Sequence, residues 1–103
     1  MLENVGDIRA RWKKVGRIIV KADAVNEEIN HMSESIRVVM VLHNLLSVAM
    51  EYVFANRTYN ADTILVDMKI VVENLPIPSE EEKRIIHKID DLRKMLFAEG
   101  LLW

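Results

Sequence analysis

His43 is the side chain in this sequence that most directly raises a question of chemistry. A histidine carried on a helix can accept a phosphoryl group, but it then needs an exposed imidazole with basic or amide neighbours to hold the phosphate. Here the surroundings along the helix are Val39, Leu42, Leu45 and Leu46, with Asn44 as the nearest amide. The competing reading is a core histidine with one hydrogen-bond partner. It would fix register as a single polar residue in a coiled-coil seam does.

Other constellations are thinner. His87, Asp90 and Asp91 place three metal-ligand types within one helical turn. They sit among Lys83, Arg84, Lys88, Arg93 and Lys94, which reads as a solvated face with intrahelical ion pairs. No two Glu-x-x-His motifs are present to face one another across helices, and no metal or cofactor is expected. Glu51, Asp62, Asp67 and Glu73 lie on different helix faces, so they do not form an acid pair for hydrolysis. There is no P-loop, nucleophile elbow or Cys/His zinc spacing.

The most usable feature is basic. Arg9, Lys13, Arg17 and Lys21 stand four apart and form a ridge, with Arg11, Trp12 and Lys14 beside it. Such a ridge can contact phosphates while a tryptophan stacks or anchors. The plainer reading is a solvated helix face whose Trp12 packs on the last helix. A helix-turn-helix would need a short recognition helix after a tight turn, and none is evident.

The elements that position these residues follow from periodicity. From Ile8 to Val53 two columns repeat every seven residues. One runs Ile8, Val15, Ala22, Ile29, Ile36, His43, Met50; the other runs Arg11, Ile18, Val25, Met32, Val39, Leu46, Val53. Only Arg11 and His43 are polar, and no proline interrupts. This spacing predicts one long helix over about 7–55 with Asp7 as its N-cap. The alternative is a turn at 30–33, with Ser33 capping a new helix. Gly16 is a weak point in the first helix rather than a stop.

Past Ile36 the helix is apolar on every side, so it expects to be buried on every side. Residues 36–55 have the ~20-residue length of a membrane span. However, Arg37, His43, Asn44 and Glu51 lie inside, and each interior charge costs about 2.5–3.5 kcal/mol on insertion scales. The expectation is therefore no membrane. A polar turn at Asn56–Asn60 leads to a helix over about 61–75, capped by Asn60 and ended by Pro76. Ser79 and Glu82 have capping-box spacing at the head of a last helix over about 80–98, which Gly100 stops. The apolar tail Leu101-Leu102-Trp103 is expected to pack back or onto a neighbour.

The sequence thus reads as one all-α domain of 103 residues, with half of its residues apolar, no cysteine, and a net charge of -2. The start of the chain lacks the basic-then-apolar order of a signal peptide, which points to the cytoplasm. Charge is uneven: residues 1–21 carry Arg9, Arg11, Lys13, Lys14, Arg17 and Lys21 against Glu3 and Asp7. The one-long, one-short, one-medium order of helices is similar in outline to AroQ-type chorismate mutases. That active site uses several Arg and Lys residues and commonly a glutamine, and this chain has no glutamine. The favoured reading is a non-enzymatic helical assembly or protein-interaction module. It would be a homodimer joined through Val39, Leu42, Leu46, Met50 and Val53. The alternatives are nucleic-acid binding through Arg9, Trp12, Lys13, Arg17 and Lys21, and phosphotransfer at His43.

Overall fold

The chain turns back at a point where its heptad pattern runs on unbroken. In the computed structural model, which describes residues 5–99, helix α1 spans Val5–Asn30 and α2 spans Ile36–Phe54. The single helix expected over 7–55 is therefore two helices, and the alternative of a closed four-helix bundle describes the protein. The outline shared with chorismate mutases goes with that long helix.

Hydrogen bonds explain how a segment with neither glycine nor proline makes the turn. The His31 and Met32 N–H groups bond back to the Glu28 and Ile29 carbonyls at 3.2 Å, tightening the last turn of α1. The His31 ring donates through Nδ1 to the Glu27 carbonyl at 2.7 Å. Ser35, rather than the expected Ser33, caps α2, its hydroxyl accepting from the Val38 N–H. Ser33 is used elsewhere. Its N–H and its hydroxyl both donate to Oε1 of Glu81, at 3.2 and 2.8 Å, which ties the turn to the first turn of the last helix.

The heptads concealed this break because of a change in phase. In α1 the buried residues are Val15, Ile18, Ala22, Val25 and Ile29, with Met32 just beyond, drawn from both columns. In α2 they are Leu42, Leu46, Ala49 and Val53. The second column survives at Leu46 and Val53, but His43 and Met50 of the first give way to their predecessors Leu42 and Ala49. One residue is about 100° of helix rotation, so Ile36 ends 70% exposed. A helix apolar on every side reads as a seam in more than one phase.

The remaining boundaries are local. Asn56 takes φ 62° at the end of α2. Its N–H bonds to Val53 at 3.0 Å while that of Arg57 bonds to Tyr52 at 2.8 Å, the paired bonds of a Schellman ending. Helix α3 spans Thr58–Glu73 and starts directly from Arg57, so Asn60 lies inside it and does not cap it. Helix α4 spans Ser79–Ala98. Pro78 is its N-cap and no side-chain cap bond forms, so the expected capping box of Ser79 and Glu82 is absent. Glu80, Glu81 and Glu82 instead place negative charge at the positive end of the helix.

The four helices form a ring in which each packs antiparallel on the next and α4 closes against α1. The core takes Ile18, Val25 and Ile29 from α1, Leu42 and Leu46 from α2, Leu65, Met68 and Val72 from α3, and Ile85, Ile89, Leu92 and Leu96 from α4. The ring closes within one chain. The tail 101–103 lies outside the described residues. A Cβ built on Gly16 meets nothing within 4 Å, so Gly16→Ala is expected to raise stability by up to about 1 kcal/mol. Denaturant unfolding checks this, and a loss of stability would show that α1 is bent or frayed there.

Candidate interaction surface

The residues expected to hold two copies together are used inside one. Leu42, Leu46 and Val53 are at most 2% exposed, within the bundle's own core, and Val39 and Met50 are half-buried against it. They are covered by α1 and α3 and cannot meet a second chain while the bundle stands. The reason is the phase shift: the seam used for the prediction is the one the chain closes on itself.

What α2 offers to solvent is its opposite face. Arg37, Val41, Asn44, Val48, Glu51 and Ala55 are all exposed and recur at alternating spacings of four and three. Ile36, Met40 and Phe54 flank that stripe, and Met40, Val41 and Phe54 are at least half exposed. By length and hydropathy α2 could also cross a membrane. Here one side of it is sealed in the core, and Arg37, Asn44 and Glu51 run down the other. A register read on the side of the helix opposite the core seam would have found this face, but in an all-apolar helix the two stripes compete.

Between α1 and α2 lies a polar clip that the sequence indicated only in part. His43 is half-buried and has two partners rather than one. Its Nδ1 is 2.7 Å from Asn26 and its Nε2 is 2.7 Å from Asn30. A neutral imidazole satisfies both when one carboxamide presents its oxygen and the other its NH2 group. With both ring nitrogens engaged, His43 positions α2 on α1. Phosphoryl transfer would require one of those bonds to open. Asn26 and Asn30 stand four residues apart beside the α1 seam, and that spacing was the available signal.

The basic ridge is divided by the fold. Arg9 and Lys13 are exposed and Lys21 is half-buried. Arg17 forms a bidentate pair with Glu99, at 2.6 and 2.7 Å, which locks α1 to the end of α4. The Glu99 carboxyl is lowered from its ordinary value chiefly by that hydrogen bond. Trp12 does not pack on the last helix. It is 64% exposed and lines a cleft of about 370 Å³ with Ile8, Val15, Val53 and Phe54 at the open end of the α1–α2 pair. The tryptophan turns toward α2 and Arg17 toward α4, so the two do not share one surface.

The remaining charges that come together also join helices. Arg93 on α4 pairs with Asp62 on α3 at 2.7 Å and with Asp90 at 3.2 Å, while Lys69 on α3 reaches Asp90 at 2.9 Å. Partial burial alone would push the Asp90 carboxyl up. The hydrogen bonds and charges of Lys69 and Arg93 outweigh it and bring the carboxyl below its ordinary value. Asp90 thus turns away from His87, whose nearest acid is Asp91 at 3.5 Å. Among the described residues no three His, Asp or Glu side chains converge as a metal site. Glu51 faces outward on α2 and Asp62 is taken by Arg93, so the acids considered for hydrolysis do not meet.

Comparison of the chain with protein-family models, with curated proteins and with solved structures gives no match.

Two outcomes follow from these contacts. His43→Leu is expected to lower stability by about 1–2 kcal/mol, although it adds apolar surface, because Asn26 loses its partner in a half-buried position. Unchanged or higher stability in urea would show that the clip holds nothing. For Asp90 the folded carboxyl ionises more readily than the unfolded one. Its stabilising effect is therefore complete above about pH 4 and is lost as pH falls through the lowered folded value. Urea midpoints of wild type and Asp90→Asn should differ at pH 6 and converge once pH falls below the lowered folded value. A gap that persists in acid would exclude this network as its source.

Proposed function

We propose that the protein is a non-enzymatic helical assembly module that works as a homodimer, joined through the outward face of α2. The observation that carries this reading is the row of large apolar side chains left in water on a helix whose core side is already satisfied. Isolated apolar residues on a surface are ordinary, but several large ones gathered on one side of one helix mark a contact site. The polar clusters support the same view. His43 with its two asparagines, Arg17 with Glu99, and Lys69, Asp90, Arg93 and Asp62 all bridge one helix to another. Each ties helix to helix behind the exposed face.

A second reading rests on α1. Arg9 and Lys13 stand exposed beside Trp12, a combination suited to phosphate contact and stacking on a nucleic acid. Binding of duplex DNA or RNA at ~50 mM salt, weakened by Arg9→Ala and Lys13→Ala, would favour it over self-association.

The primary test is mass in solution. One chain weighs 12.0 kDa, so a dimer weighs about twice that. Light scattering or sedimentation equilibrium should show the mass rising toward the dimer value across the micromolar range. Val41→Asp should hold it at the monomer value without loss of helical signal. A wild-type chain that stays monomeric at hundreds of micromolar ends the homodimer reading.

A further inference from the structure

The outward face of α2 has a symmetry that selects one way for two copies to meet. Asn44 sits at its middle. Arg37 and Glu51 stand seven residues to either side of it, and Met40 and Val48 four to either side; all five are exposed. We propose that two copies pair through α2 in antiparallel, about a two-fold axis that passes beside Asn44. Arg37 of each copy then meets Glu51 of the other, and Met40 of each packs on Val48 of the other. This inference rests on the homodimer reading and specifies its partner, face and register.

Three observations carry it. The first is charge complementarity. Arg37 and Glu51 make no ion pair among the described residues, and an antiparallel match provides one for each of them twice over. A parallel match would set arginine on arginine and glutamate on glutamate. The second is their placement against the helix dipole. Arg37 lies in the first turn of α2 and Glu51 in the last, which has no basic residue, so each charge sits at the unfavourable end. Within one copy neither placement is compensated. In the antiparallel pair each charge faces an opposite one, and the two helix dipoles oppose as well. The third is Asn44 itself, the polar residue at the centre of the stripe, with Val41 and Val48 on either side. Across a two-fold axis two carboxamides each supply a donor and an acceptor and satisfy one another. Sliding the helices by a turn would separate them, so Asn44 sets register as a buried polar residue does in a coiled coil.

The stripe at positions 37, 41, 44, 48, 51 and 55 keeps the four-three spacing that shallow helix crossing requires. One helix pair buries less than a standard interface, so micromolar affinity is expected.

The chain has no cysteine, so a single one reports on a single contact. Asn44→Cys at the axis should form a disulfide-linked dimer rapidly under mild oxidation. Asp67→Cys, on the exposed surface of α3, should not. Arg37→Glu and Glu51→Arg should each weaken dimerisation about tenfold, and the doubly reversed variant should regain wild-type affinity. Both single changes improve the match to the helix dipole, so loss of dimer cannot be traced to loss of fold. A dimer by mass in which Asn44→Cys fails to cross-link and the reversals have no effect would overturn this face and register while leaving self-association itself intact. A chain that stays monomeric, or that floats with phosphatidylcholine vesicles as a monomer, would overturn both.

Discussion

The structure depends on the reversal at residues 31–35. If the chain ran straight there, α1 and α2 would be one rod whose apolar surface no part of the same chain could close. With the turn, α2 lies back along α1, and α3 and α4 complete a ring around a core drawn from all four helices. The turn lacks the residues that usually make one. Besides the local bonds that end α1 and cap α2, it is held by hydrogen bonds from beyond the turn: Ser33 to Glu81 at the head of α4, and His43 to Asn26 and Asn30. The reversal and the ring therefore support each other.

That mutual dependence explains what could and could not be read from the amino acids. The all-helical class and the last two helices were legible, because apolar residues repeat there at helical spacing between clear breaks. The turn was legible only as an alternative, because its causes lie some fifty residues away at Glu81. The helix starts went astray for a related reason. Ser79 and Asn60 have side chains that can cap, but the backbone enters each helix one to three residues earlier, at Pro78 and Arg57.

The candidate site was less legible than the fold. Periodicity shows that α2 is apolar but not which of its faces the chain covers itself. Leu42, Leu46 and Val53 read as contacts between two copies, whereas their contacts lie within the chain. The basic ridge was visible in sequence; its division was not, because the pairing of Arg17 with Glu99 joins opposite ends of the chain.

That pairing also bears on how the protein comes together. Three of the four helix contacts join elements that follow one another along the chain and need only short loops to close. The fourth, α1 with α4, joins residues as far as 82 positions apart. Chain entropy makes it the slowest contact to find and, in a ring, the one whose loss leaves the others standing. Arg17 with Glu99 at one end of that seam, and Ser33 with Glu81 at the other, are where hydrogen exchange would report the first partial opening of an otherwise cooperative bundle.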